Sequence, residues 1–242
     1  MTDKNDILNN RLEFIAHHRD HRETLNGVDL FHSKVDYFKT AFLFNKNGIK
    51  KIPRSFELYL PEWLQIDHAI LKKNGWEKTN SMIHMTWDNE PENWKINPDI
   101  TISKIEHESR VEEFCKTQSR GFNGEDIDKD PCYPTMLAST LKNLSKSNHH
   151  FYLASLNGEP AGAIVLFFHE AGLGIYAVTT IEKFRKKGIS TSLMKRALDE
   201  GKKANSAFIT LQTMEGTYAE KFYETLGFTA AFHSDVFKQK TQ

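Results

Sequence analysis

A short basic stretch, Arg185-Lys186-Lys187-Gly188-Ile189-Ser190-Thr191, carries the residue types that a phosphate site needs. It follows an apolar run that reads as a strand, Leu173 to Thr180, and leads into a helical run, Ser190 to Lys203. The N–H groups of a helix's first turn have no internal partner, and the helix dipole favours an anion there. Gly188 lets the main chain approach a ligand closely, and the three cations add charge. Ser190 and Thr191 offer hydroxyls for capping or for phosphate contact. A basic run alone is most often a solvated face. Its place between a strand and a helix is what points to a phosphate, most simply a pyrophosphate. Neither G-x-x-x-x-G-K-[ST] nor a G-x-G-x-x-G after a strand occurs, so the two common nucleotide loops are set aside. His17 and His21 would share one face of a helix, but no second ligand pair accompanies them, and a solvated face is the simpler reading. Cys115 and Cys132 have no assignable catalytic partner and read as small reduced thiols.

The elements that must position this loop follow from periodicity. Ile100 to Ile105 alternates apolar and polar residues, as a half-buried strand does. Val111 to Gln118 and Tyr133 to Leu144 have helical spacing. Phe151 to Leu156 and Ala161 to Phe168 are strands joined through Asn157-Gly158, a strong hairpin signal. After the helix that opens at Ser190 come a strand over Phe208 to Gln212 and a helix over Ala219 to Leu226 closed by Gly227. Thr229 to Phe237 forms a closing strand or pair. The order β-α-α-β-β-β-α-β-α-β predicts an α/β (α+β) domain, with a mixed, mostly antiparallel central sheet flanked by helices.

The first hundred residues are less regular. One helix is expected within residues 3–25, then strands over Tyr37 to Phe44, Phe56 to Tyr59 and Ser81 to Trp87. Asp67 to Lys73 reads as a short helix stopped by Gly75. Residues 88–98 are polar with two prolines, the best linker candidate, so two domains are expected, 1–88 and 99–242. The chain has 242 residues and a net charge of zero, which gives no global field to recruit nucleic acid or an anionic membrane. No apolar run approaches the roughly 18 residues of a spanning helix, and the polar first ten residues lack an apolar leader core. A cytoplasmic protein is the expectation.

The basic stretch resembles the first motif of the GCN5-related N-acetyltransferases: Arg or Gln, two residues, Gly, one residue, Gly or Ala. Arg185, Gly188 and Ser190 stand at those positions, with serine in place of the usual smaller residue. The second motif is an Ala, two residues, an apolar-Tyr pair and a Leu-Gly-Phe ending. Ala219, Phe222, Tyr223, Leu226, Gly227 and Phe228 match it. The family often has an Asn three residues before that Ala; here the position is Gly216, so that side-chain contact to the cofactor is missing. The faint likeness of residues 68–87, where an apolar helix runs into Asn-Gly-Trp, suggests a degenerate partial copy in the first half.

The resemblance implies an enzyme that transfers an acetyl group from acetyl-CoA to a primary amine of a small molecule or amino-acid derivative by direct attack. Acetyl-CoA is the co-substrate and no metal is implied. Cofactor-binding positions are then Val178, Thr179 and Thr180 along the pantetheine, Arg185, Lys186, Lys187, Gly188, Ile189, Ser190 and Thr191 at the pyrophosphate, and Gly216 and Phe222 in the second motif. Tyr223 inherits the role of acid to the departing thiolate. Many relatives carry an acidic residue on the cofactor-binding strand, but Ile175-Tyr176-Ala177-Val178 has none, so the base stays open between His169, Glu170 and a water relay. The partners implied are acetyl-CoA and a small amine, with neither nucleic acid nor membrane, and a homodimer is left open. The alternative is a non-catalytic acyl-CoA-binding sensor or scaffold with a protein partner.

Overall fold

The computed structural model describes residues 2–88, 91, 93–124 and 126–239. Of the expected linker, positions 89, 90 and 92 therefore lie outside the described residues. In chain order the elements are α1 (Lys4–His18), β1 (His21–Leu25), β2 (Val28–His32), β3 (Thr40–Leu43), β4 (Glu57–Pro61), α2 (His68–Lys73), β5 (Trp76–Trp87), β6 (Ile100–Lys104), α3 (Val111–Asn123), α4 (Tyr133–Asn143), β7 (His149–Leu156), β8 (Glu159–His169), β9 (Gly172–Thr180), α5 (Ile189–Lys203), β10 (Phe208–Met214), α6 (Tyr218–Thr225) and β11 (Phe228–Gln239). The mixed, mostly antiparallel architecture expected from the element order is observed.

The chain divides into two compact units that alternate along the sequence: residues 1–18 with 90–211, and residues 19–89 with 212–242. This differs from a division into 1–88 and 99–242. The reason is physical. Helix α1 buries Ile7, Leu8, Leu12 and Ile15 against elements of the second half, and β11 pairs with β4 and β5 from the first.

In the first unit the strands run in the order β10-β9-β8-β7-β6. Only β9 and β10 are parallel there; the other neighbours are antiparallel. The β7–β8 turn has Asn157 at φ 52° and Gly158 at φ 82°, the left-handed pair that an Asn-Gly hairpin supplies. Strand alternation then separates two faces. Ala163, Val165 and Phe167 of β8 join Val111 and Phe114 of α3 in one core. Gly162 lies on the other face, where an added Cβ would sit 2.5 Å from Ile189 Cγ2 of α5.

The second unit has the order β1-β2-β3-β4-β11-β5, with β3 and β4 parallel. Its core includes Leu30, Leu43, Leu58, Leu71, Trp76 and Phe237. The elements β1 to β5 repeat the order of β7 to β11: three antiparallel strands, a crossover to a parallel strand, a short helix and a final strand. In the first half, the crossover corresponding to α5 is only a 3-10 segment, Lys46–Lys51. It therefore lacks an α-helical first turn. The hairpin β1–β2 was not expected, because residues 3–25 were read as holding one helix and no strand. Helix α1 in fact ends at His18, so His17 and His21 lie on different elements and share no helical face.

Candidate functional site

Strand β9 is exceptional on both edges. Toward β10 its pairing covers Gly172, Leu173 and Gly174 against Phe208, Ile209 and Thr210. The strand continues to Thr180, so the main chain from Ile175 onward is released from that ladder. An edge of this kind can accept an extended ligand as an added strand. Toward β8 the register jumps: Tyr176 faces Val165 but Thr179 faces Ala163. The bulge includes Ala177 at φ 51°, a left-handed conformation that costs an L-residue about 1–2 kcal/mol. Bulges sharpen local twist and re-aim the main chain. Here the kink falls two to three residues past the point where β9 leaves β10.

Packing fixes this geometry. An added Cβ at Gly174 would sit 2.1 Å from Asn10 Oδ1 and 2.4 Å from Tyr176 Cε2. The Tyr176 hydroxyl donates to Asn10 Oδ1 at 2.7 Å, and its ring stacks on Phe14 at 3.6 Å between centroids. Helix α1 thus clamps β9 just before its bulge. On the same face α3 approaches at Gly121, where an added Cβ would sit 1.9 Å from Thr179 Oγ1.

The chain then leaves β9 through a 3-10 turn, Glu182–Phe184, into the basic loop. Lys186 has φ 63°, and Gly188, the N-cap of α5, has φ 89°. The first intrahelical bond of α5 runs from Ser192 N to Gly188 O at 3.0 Å. The N–H groups of Ile189, Ser190 and Thr191 therefore have no intrahelical acceptor. The first turn carries no acidic residue, and Arg185, Lys186 and Lys187 beside it are exposed. The carbonyl of Lys187 accepts from Asn97 Nδ2 at 3.1 Å, and Thr180 Oγ1 and Ser190 Oγ are bonded at 2.8 Å. These two bonds tie the loop to the segment before β6 and to the end of β9.

The expected site residues separate into groups. Val178, Thr180 and residues 185–191 lie along one continuous path in the first unit, from the released edge to the helix start. Thr179 is buried, with its side chain under Gly121, so only its main chain can face a ligand. The Ser190 hydroxyl is engaged by Thr180 instead of standing free for phosphate. In the second unit, Thr217 is the N-cap of α6 and Gly216 precedes it: the Gly216 N–H donates to Glu220 Oε2 at 2.6 Å, while Thr217 Oγ1 accepts from Glu220 N at 3.4 Å. This reciprocal arrangement occupies the main-chain donor of Gly216. Phe222 is half-buried beside Tyr223. Tyr223 is buried against Phe228, and burial pushes its phenol up to about 12.

His169 and Glu170 flank the β8–β9 turn, at the far end of β9 from the basic loop. At a rise of roughly 3.3 Å per residue, that end is about 25 Å from Thr180, too distant for either side chain to act there. Cys115 and Cys132 are buried thiols, and burial raises Cys115 to about 11, which suits a packed and unreactive group. Sequence reading missed Asn97, which sits in the polar stretch taken as linker, and Gly121, which lies past the expected helix end at Gln118 but inside α3. Had the helix been extended, Gly121 would have been a signal, since a glycine inside a helix often has a packing reason.

The acetyltransferase (GNAT) family model matches residues 80–228. No match is found among curated proteins. Among solved structures, a GCN5-related N-acetyltransferase from Kribbella flavida is similar over 100% of this chain and 97% of its own, with TM-score 0.71 and 11% identity. A GCN5-related N-acetyltransferase from Sphaerobacter thermophilus matches over 87% of this chain and 76% of its own, at TM-score 0.67 and 11% identity. A tandem GNAT protein from the clavulanic acid biosynthesis pathway matches over 87% of this chain and 77% of its own, at TM-score 0.60 and 9% identity. At such identities the likeness is one of fold.

Proposed function

The chain belongs to the acetyltransferase (GNAT) family, and from that premise we propose that it transfers an acetyl group from acetyl-CoA to the primary amine of a small molecule or amino-acid derivative. One observation carries the reading. Strand β9 parts from β10 after Gly174 and leads, through the 3-10 turn Glu182–Phe184 and the basic loop, to the open first turn of α5. An elongated ligand with amide groups at one end and a diphosphate at the other fits that path. The N–H groups of Ile189, Ser190 and Thr191, with Gly188 and the cations Arg185, Lys186 and Lys187, hold the diphosphate. The main chain of Val178, Thr179 and Thr180 pairs with the pantetheine amides.

The thioester carbonyl then lies near the bulge at Ala177 and Val178, where a main-chain N–H meets the charge that develops on oxygen. The neutral amine attacks the carbonyl carbon. A C–N bond forms, the C–S bond breaks, the amine's surplus proton goes to water, and the thiolate takes up a proton. Strand β9 offers no carboxylate near the bulge, and His169 and Glu170 are too far along the strand, so a water relay is the base.

The second-motif match gives Tyr223 to the departing thiolate. A phenol near pKa 12 is a weaker acid than a thiol near 8.5. Tyr223 therefore acts as a hydrogen-bond donor that steadies the thiolate, rather than by complete proton transfer. The missing carboxylate favours one second reading, an acyl-CoA-binding protein without transfer.

The deciding experiment measures thiol release from acetyl-CoA across a panel of primary amines, beside cofactor binding by titration calorimetry. Transfer to at least one amine is expected; binding without turnover on any amine leaves the sensor. For Tyr223→Phe, kcat should fall about tenfold, the size of one hydrogen bond of about 1.4 kcal/mol, with acetyl-CoA affinity unchanged. Unaltered kcat removes Tyr223 from the chemistry.

A further inference from the structure

Helix α1 lies outside residues 80–228, the part of the chain that the family model matches. It nevertheless belongs to the first unit and packs on β9. Most of its buried residues, Ile7, Leu8, Leu12 and Ile15, are apolar. Asn10 is different: it is 0% exposed, yet it carries an amide. Its Oδ1 accepts from the Tyr176 hydroxyl at 2.7 Å. Its Nδ2 has no hydrogen-bond partner among the described residues. A buried donor left unmet costs free energy, and a leucine of similar shape would not carry that cost. Packing alone therefore does not call for an amide at this position.

The place of the amide shows what it holds. Oδ1 sits over Gly174, the last residue of β9 that pairs with β10. Its donor, Tyr176, immediately precedes the left-handed Ala177. The Tyr176 ring stacks on Phe14 at 3.6 Å and 2°. Asn10 and Phe14 are neighbours on one face of α1, and Gly174 and Tyr176 share one face of β9. On the far side of the bulge, Thr179 is seated under Gly121 of α3. Only Ala177 and Val178 lie between these two anchors. The cost of one left-handed L-residue and the worth of one hydrogen bond are of the same order. Such strain persists only where the surroundings over-determine it. The Asn10–Tyr176 bond is thus large enough to decide whether the bulge keeps its shape.

We propose that Asn10 is a positioning residue for acetyl transfer: through Tyr176 it holds the Ala177–Val178 bulge, so that a main-chain N–H stays aimed at the thioester carbonyl. The proposal rests on the transferase reading and deepens it. Asn10 touches neither cofactor nor amine. It fixes the donor that meets the charge growing on oxygen as the amine attacks. A donor set in place before the reaction lowers the barrier without tightening ground-state binding. The mark of this role is a fall in kcat with little change in the affinity for acetyl-CoA, whose diphosphate the basic loop holds.

The experiment uses the full chain and the variants Asn10→Leu, Tyr176→Phe and both together, with an amine that the parent protein acetylates. Each single variant leaves a buried polar group unbonded and should lower stability to urea. The double variant removes both groups and should regain the parent's stability, since replacing both partners by apolar groups is close to neutral. Its kcat should still lie about three- to tenfold below the parent's, the size of one lost hydrogen bond. Calorimetry should give an acetyl-CoA Kd close to the parent's. Recovery of kcat along with stability shows that the pair is packing only, and overturns the proposal. A rise in Kd that matches the fall in kcat also overturns it, because the pair then serves binding and not the chemical step. If the double variant does not fold, Tyr176→Phe decides alone: it removes one oxygen, keeps the ring on Phe14, and refutes the proposal if its kcat equals the parent's. Absence of turnover by the parent with every amine refutes the transferase reading, and this role falls with it.

Discussion

At φ 89° and ψ 7°, Gly188 holds the residue before α5 in the left-handed region, where a Cβ costs about 1–2 kcal/mol. Space is not the constraint, since an added Cβ would come no closer than 3.6 Å, to Asn97 Cβ. The glycine is required by conformation alone. Gly188→Ala should therefore leave the core packed but shift the loop away from φ 89°, misaiming the first-turn N–H groups. Urea unfolding should report a loss of about 1 kcal/mol, and calorimetry should report acetyl-CoA binding at least several-fold weaker. Affinity equal to that of the parent would show that the turn does not shape the phosphate cradle. Lys186, also left-handed at φ 63°, has no such glycine, so the loop already carries backbone strain on its open side. Strain of this kind collects where a ligand must be met.

The same reasoning extends to elements through Gly121, where α3 touches β9. An added Cβ would sit 1.9 Å from Thr179 Oγ1, and Thr179 has no room to give way because it is itself buried. Gly121→Ala should push α3 off β9, costing about 1–3 kcal/mol by overpacking. Because the Thr179 main chain belongs to the stretch proposed to pair with the pantetheine, the Kd for acetyl-CoA should rise several-fold. An unchanged Kd would show that α3 does not hold that strand for the ligand. These contacts mark where sequence reading succeeds and where it stops. The strands β7 to β10 and helix α5 were legible because alternation, the Asn157-Gly158 turn and the strand-loop-helix junction are local signals. Strand β1 was not, since its residues are almost all exposed and show no alternation. The bulge at Ala177 and the parting of β9 from β10 are products of register between strands, and no local pattern announces them. Thr179 and Gly216 were named as ligand contacts by motif position. Their side-chain burial and main-chain bonding depend on α3 and Glu220, which a linear motif does not describe.

At the scale of the whole molecule, the chain enters the first unit, leaves it, and returns at residue 90. Helix α1 is therefore held in that unit by packing, not by adjacency in sequence. Its end is fixed by a cluster of imidazoles. His17 stacks on His149 at 5.1 Å, His18 lies 5.2 Å from the same ring, and Phe167 lies 4.8 Å from it. Asn143 Nδ2 donates to His17 O at 3.0 Å, and Ser139 Oγ is bonded to His18 Nδ1 at 2.6 Å. His149 is 2% exposed, and burial, aided by His17, Lys146 and His150, holds it down to about 3. His17 is lowered as well, by burial first and by Lys146 next, with Glu13 opposing. The folded state thus excludes protons that the unfolded chain would take up near pH 6.5. The stability contributed by a neutral His149 is complete above that pH and is lost as pH falls toward 3, at about 1.4 kcal/mol per pH unit. Between pH 6.5 and 5, urea unfolding should therefore record a loss of about 2 kcal/mol from this group. His149→Phe keeps an aromatic ring beside Phe167 and cannot be protonated, so its stability should vary with pH by about that much less over the same interval. If the variant's pH slope equals the parent's, the imidazole cluster does not couple α1 to protons, and its burial is packing alone.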